Sequence, residues 1–182
     1  MVRGRGLLAE ARQVASPNHD SRPPGCQPTL LLLHSISLPR GHYGGDAVER
    51  LFSNRLDLGE HASFGELAGL RVSAHFFVRR DGELLQFVPL ERRAWHAGVS
   101  RWRGRERCND FSIGIELEGV DSAPFESVQY ARLSTLIRSL RLRARLPLRE
   151  LAAHSEVAPG RKTDPGARFD WARLFSDLAR DH

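Results

Sequence analysis

Lysine is almost absent from this chain. Of its 27 basic residues, 26 are arginine, and the single lysine is Lys162. Cysteine is nearly as scarce: Cys26 and Cys108 are the two present, and no Cys-x-x-Cys spacing occurs. That excludes a zinc ribbon and a dithiol redox motif. Two thiols fit a reducing compartment, and a Cys26–Cys108 pair stays open. Long hydrophobic runs are missing as well. The longest, Leu30 to Leu33, is far too short to span a bilayer. The basic start, Met-Val-Arg-Gly-Arg-Gly-Leu-Leu, carries no apolar stretch of signal-peptide length. A soluble, cytoplasmic protein is expected, with no membrane partner. Neither a 20–50-residue period nor a low-complexity segment is visible.

What remains is globular in composition. With 182 residues and 41% hydrophobic side chains, the chain is long enough for one domain over 1–182, with 1–15 weakly specified. The net charge of +5 favours anionic partners. Nucleic acid is not expected, because neither a stacking platform nor a known basic motif accompanies the arginines. A monomer is expected. Lys162 stands in His154-Ser-Glu-Val-Ala-Pro-Gly-Arg-Lys162-Thr-Asp164-Pro-Gly. An ammonium is a compact, movable point charge where a guanidinium is a planar fork. The exception therefore suggests a cation aimed at one atom.

Hydrophobic periodicity predicts the elements. Thr29–His34 reads as a buried central strand, and Asp46–Asn54 as a short helix that Asp46 can cap. Val72–Arg79 and Glu83–Val88 are strands joined by an Asp81-Gly82 hairpin turn. Phe111–Leu117 alternates, with Phe111, Ile113, Ile115 and Leu117 on one face, and so reads as half-buried. Ser127–Arg143 is the longest amphipathic helix, Arg149–Ala153 a short strand, and Asp170–Arg180 a closing helix. Residues 16–28 hold too many turn-forming residues for an element. The fold class is α/β mixed (α+β), a central mixed β-sheet flanked by helices.

Three potential metal ligands sit at element ends: His34 closes the first strand, His154 the last, and Asp164 lies in the loop beyond. Two imidazoles, one carboxylate and an open fourth position is the composition of a catalytic zinc site. Spacing alone does not separate this from histidines that merely finish strands. No His-Glu-x-x-His helix is present. His19, His42, His61 and His182 lie in loops or the tail. His75 sits on a strand, and His96 follows Trp95 in a turn that either walls a pocket or stacks at the surface. Glu116 and Glu118 share one face of their strand, so the pattern does not choose between them. Arg101, Arg103, Arg105 and Arg107 alternate around Trp102, either as a solvated loop or as forks for carboxylates.

Five segments in order carry a resemblance: Leu-Leu-His34-Ser-Ile-Ser-Leu-Pro, Val-Ser-Ala-His75-Phe, Arg-Ala-Trp95-His96-Ala-Gly, Cys-Asn-Asp-Phe-Ser-Ile-Gly-Ile-Glu116-Leu-Glu-Gly, and His154 through Arg-Lys162-Thr-Asp164-Pro-Gly. From about Ser16 to Leu174 the chain resembles the zinc N-acetylmuramoyl-L-alanine amidases, most of all the AmpD type. The resemblance implies a zinc ion on His34, His154 and Asp164, with Glu116 and Lys162 catalytic. It implies hydrolysis of the amide between 1,6-anhydro-N-acetylmuramic acid and L-alanine of a muropeptide. In that family the reaction recycles cell-wall fragments and holds β-lactamase induction down. Arg71 and Arg107 match positions near the peptide carboxylates, and Ser35, Trp95 and His96 complete the expected substrate contacts. The alternatives are a broader amidase on intact peptidoglycan and a non-catalytic muropeptide-binding module.

The chain departs from the family pattern at Ser35, where Asn is usual, at Ala153 for Gly, and at Glu156 for Asp. A serine hydroxyl is shorter than the Asn amide, so the substrate contact there differs.

Overall fold

The structure, a computed structural model, describes residues 2–3, 6–143 and 150–180. Arg149 and His182 lie outside the described residues. The strands of the main sheet are β1 (Arg12–Gln13), β2 (Leu30–Ile36), β3 (Phe76–Val78), β4 (Leu84–Gln86), β5 (Ser112–Glu118) and β6 (Glu150–Ala153). Their order is β6-β2-β5-β3-β4-β1. Strands β6, β2, β5 and β3 are mutually parallel, and β4 runs antiparallel to β3. The sheet is thus mixed, as periodicity and one hairpin require.

Two helices close one face. α2 (Ser127–Arg143) follows α1 (Ala47–Phe52) in the chain, and α4 (Trp171–Ala179) packs on α2. Leu133, Ile137 and Leu140 of α2 and Leu174 of α4 bury against Leu31, Leu33, Ile113 and Ile115. All four leucines of Leu30–Leu33 are 0% exposed. Full burial of one such side chain stabilises by about 1.5–3 kcal/mol, which makes this the anchoring strand of the fold. Asp170 accepts from the Arg173 N–H at 2.9 Å and caps α4 as expected.

The opposite face carries two separate apolar clusters. One gathers Val48, Leu51 and Phe52 of α1 over Phe77 and Leu85. The other gathers Leu30, Leu32, Phe111, Ala152 and Val157. Polar groups of the site lie between them.

Several expectations change. All seven residues of β5 are buried, not half of them. Helices cover one face, and His75, His96 and the loop over Glu118 cover the other, so alternation marks facing but not coverage. Within residues 16–28, His19–Ser21 pairs antiparallel with Arg92–Ala94. Asn18 Nδ2 ties that stretch down through Phe52 O and Val72 O. Tertiary hydrogen bonds override the weak propensity there. Asp46 precedes α1 but makes no side-chain cap; its carboxylate meets Arg50 Nε at 3.1 Å instead. The strand expected from Val72 begins at Phe76. The first fifteen residues contribute edge strand β1 and the buried Leu8, with Arg12 bonded to Glu49 and Glu83.

Candidate metal centre

Parallel register brings the site together. On β2, His34 is directly opposite Glu116 of β5. On the other side Ala153 of β6 is opposite Leu33, so the next residue, His154, arrives beside His34. Three adjacent parallel strands thus present His154, His34 and Glu116 at their carboxyl ends, where open α/β sheets bind ligands. His154 also opens a short helical turn, α3 (His154–Val157). Glu156 Oε2 accepts from the Ala153 N–H at 2.7 Å and so fixes the junction from which His154 projects.

Asp164 comes from the following loop. Its carbonyl accepts from the Ser155 N–H at 3.0 Å. The neighbouring Thr163 hydroxyl donates to Asp121 Oδ2 at 2.6 Å, and Asp121 also pairs with Arg40. Gly166 is required for this closure: its φ is +96°, and a Cβ would lie 2.2 Å from Asp121 O. Asp121 and Thr163 carried no signal in the sequence, because a loop-to-loop tether has no periodicity.

The donor atoms form a small triangle. His34 Nδ1 and His154 Nδ1 are 2.9 Å apart, and Asp164 Oδ2 lies 3.3 Å and 3.0 Å from them. Two His nitrogens at ~2.0–2.1 Å from a tetrahedral zinc would stand about 3.3 Å apart, so the donor set is of the right chemistry and nearly the right size. Among the described residues this is the cluster that could hold a metal ion. Burial lowers the His34 imidazole to about 4, against the opposing pull of the Asp164 carboxylate, and so keeps the ring neutral. Burial acts to raise Asp164, but its close contacts with His154 and His34 outweigh it and hold the carboxylate well below its usual range.

Glu116 is buried beside this triangle. Burial, and then the charge of Asp164, push its carboxyl well above the usual range, against the pull of Lys162. Its Oε2 has no hydrogen-bond partner among the described residues. Glu118 differs sharply: its carboxylate accepts from the N–H groups of Gly44 at 2.6 Å and Arg80 at 2.9 Å. Lys162 is exposed, and its ammonium has no hydrogen bond or ion pair among the described residues.

A cavity of about 280 Å³ opens over the centre, lined by His34, Ser35, His96, Glu116, His154, Lys162 and Asp164 with an apolar wall from Leu51, Phe52, Leu67 and Leu70. Of the residues expected at the site, these seven are brought together. Trp95 is not among the residues lining the cavity. Arg71 is exposed outside the cavity. Arg107 lines a neighbouring hollow of about 550 Å³ with Arg101 and Arg161. The other loop arginines are occupied: Arg103 pairs with Glu150, and Arg105 covers the Phe111 ring. Trp102 donates to Glu150 rather than offering a free stacking face.

Two imidazoles and a carboxylate at the strand ends of a mixed sheet, beside a buried carboxyl whose Oε2 has no partner among the described residues, are the donor set of a metal-assisted hydrolase. The chain belongs to the N-acetylmuramoyl-L-alanine amidase family, whose profile matches residues 24–167. It is 51% identical over 174 residues to the 1,6-anhydro-N-acetylmuramyl-L-alanine amidase AmpD of Escherichia coli K12, covering 96% of this chain and 95% of that one. A crystal structure of a selenomethionine AmpD derivative superposes with a TM-score of 0.92 at 49% identity, covering 98% and 99% of the two chains. The amidase AmiD of E. coli, solved with anhydro-N-acetylmuramic acid-L-Ala-D-gamma-Glu-L-Lys, gives a TM-score of 0.57 at 31% identity, covering 94% of this chain and 60% of that one.

Proposed function

We propose that this protein is a zinc amidase that hydrolyses the amide joining the lactyl group of 1,6-anhydro-N-acetylmuramic acid to L-alanine of muropeptides. It would work as a monomer in cytoplasmic recycling of cell-wall fragments, and removal of these fragments would restrain β-lactamase induction. The observation that carries the reading is the Nδ1–Nδ1–Oδ2 triangle of His34, His154 and Asp164 with the unpartnered Glu116 Oε2 next to it. Similarity to AmpD along nearly the whole chain supports the substrate.

His34, His154 and Asp164 would hold the ion. When bound, zinc supplies Lewis acidity, polarising a carbonyl and making a water acidic near pH 7. Glu116 Oε2 takes the proton of the attacking water and hands it to the departing L-alanine nitrogen. Burial raises its affinity for a proton, which suits the first half of that transfer. Charge developing on the lactyl oxygen meets the Lys162 ammonium, which has no partner to leave first among the described residues. Ser35 and His96 line the cavity and contact the sugar end. Arg107, on the adjoining hollow, and Arg71 and Trp95 at the periphery would meet the stem peptide and its carboxylates.

The test is hydrolysis of a purified anhydro-muropeptide by the zinc-loaded protein, followed by mass spectrometry. Free stem peptide and free anhydro-N-acetylmuramic acid are expected, with intact peptidoglycan cut far more slowly. Equal rates on both would make it a general cell-wall amidase. No cleavage of either would leave a binding module.

A further inference from the structure

His96 lies flat against the backbone of β5. A Cβ on Gly114 would come within 2.5–2.7 Å of the His96 Cγ, Nδ1 and Cδ2 atoms, so the glycine clears the seat for the ring. The ring bridges two groups. Its Nδ1 is 2.9 Å from His34 Nε2, and its Nε2 is 3.2 Å from Ser112 Oγ.

The protons along this chain can be placed. Ser112 Oγ lies 2.6 Å from the Cys108 carbonyl, which only accepts, so the hydroxyl hydrogen is committed there. Ser112 Oγ therefore accepts from His96 Nε2–H. A neutral ring protonated at Nε2 offers a lone pair at Nδ1. His96 Nδ1 accordingly accepts from His34 Nε2–H, and His34 is left with a bare lone pair at Nδ1. That atom is the one in the donor triangle.

The next residue does the same for the second imidazole. The Ala97 carbonyl accepts from His154 Nε2–H at 3.1 Å, leaving His154 Nδ1 bare towards the triangle. Asn109 holds both residues in place: its Oδ1 accepts from the His96 N–H at 3.1 Å and the Ala97 N–H at 2.8 Å. Arg161 adds a bond to the Ala97 carbonyl at 2.6 Å.

We propose that the His96–Ala97 dipeptide, clamped by Asn109 and seated on Gly114, is the positioning element that sets the tautomer and aim of both metal-binding histidines. His96 acts on His34 through its ring, and Ala97 acts on His154 through its carbonyl. The inference rests on the reading of His34 and His154 as ligands through Nδ1. Partners that orient a ligating histidine typically contribute ~10–100-fold to metal affinity.

Zinc affinity by competition with a chromophoric chelator tests it, alongside long-range ¹H–¹⁵N imidazole spectra of the zinc-loaded wild type. The spectra should show His34 and His154 protonated at Nε2. His96→Ala should weaken zinc binding 10–100-fold with unchanged far-ultraviolet circular dichroism. His96→Gln, whose amide oxygen can accept from His34, should recover most of that loss, and Asn109→Ala should weaken zinc as His96→Ala does. Wild-type zinc affinity in His96→Ala, or His34 carrying its proton on Nδ1, overturns the positioning role. His34→Ala separates the two ideas: if that variant keeps stoichiometric zinc, the metal-site reading fails first.

Discussion

Glu116 and His34 are register partners on adjacent parallel strands, facing the same cavity from positions one strand spacing apart. The two side chains are thereby held on adjacent buried strands, and neither depends on a loop for its place. Two residues along β5, Glu118 is enclosed by Gly44 and Arg80 and is taken up by their N–H groups.

Exchanging these two carboxylates for amides should therefore give opposite phenotypes. Glu116→Gln should keep zinc and stability and lose ~10²–10⁴ in kcat, the usual worth of a general acid–base group. Glu118→Gln replaces one acceptor oxygen with a donor facing an N–H, which costs on the order of 1–3 kcal/mol of stability. Its turnover should stay near wild type. Denaturant melts and steady-state rates on both variants decide the matter; a stable, inactive Glu118→Gln would assign catalysis to the wrong residue.

Lys162→Arg preserves the charge in a chain that uses arginine almost everywhere else. Loss of one donor to a developing oxyanion typically costs ~10²–10³ in kcat, and a planar guanidinium cannot occupy the position of an ammonium. The variant should fold, hold zinc, and turn over at least tenfold more slowly. Full amidase activity would show that Lys162 plays no part in the chemistry.

Arg107 extends an exposed guanidinium over the hollow beside the cleft, with a 3.4 Å contact to Asp110. Arg107→Ala should raise KM for substrates with free carboxylates and leave kcat nearly unchanged. Amidating the stem-peptide carboxylates should reproduce the effect in the wild type. If neither change moves KM, the clamp does not exist.

Acid should weaken the metal-free protein. His75 is fully buried; that burial, and then the nearby Arg22 charge, hold it well below its usual range. Its Nδ1 accepts from the Gly114 N–H at 3.0 Å, a bond that needs a neutral ring. A depressed folded value means the unfolded chain takes up a proton that the native state refuses. Stability is complete above the unfolded value of ~6.5 and falls as pH drops below it, by about 1.4 kcal/mol per pH unit for each such group. His34, lowered to about 4, adds to the same window. The urea midpoint should fall between pH 7 and pH 5, and His75→Gln should flatten that slope. Parallel slopes in variant and wild type would rule His75 out as a source.

The helix Ser127–Arg143, the leucine strand and the Asp81-Gly82 hairpin were legible in the residues, because periodicity and turn chemistry are local properties. His34, His154 and Asp164 were visible as candidates at element ends, but only the family resemblance singled them out as one set, and the sheet brings them together. Choosing Glu116 over Glu118 was not legible, since both occupy one strand face and their difference comes from loops that arrive from Gly44 and Arg80. The seat of His96 was equally hidden: a turn folds back onto Gly114 and meets His34, 62 positions away in the chain. Alternation encodes which way a side chain points. What covers it, and which atom it meets there, depends on contacts between segments far apart in sequence, and those exist once the sheet has assembled.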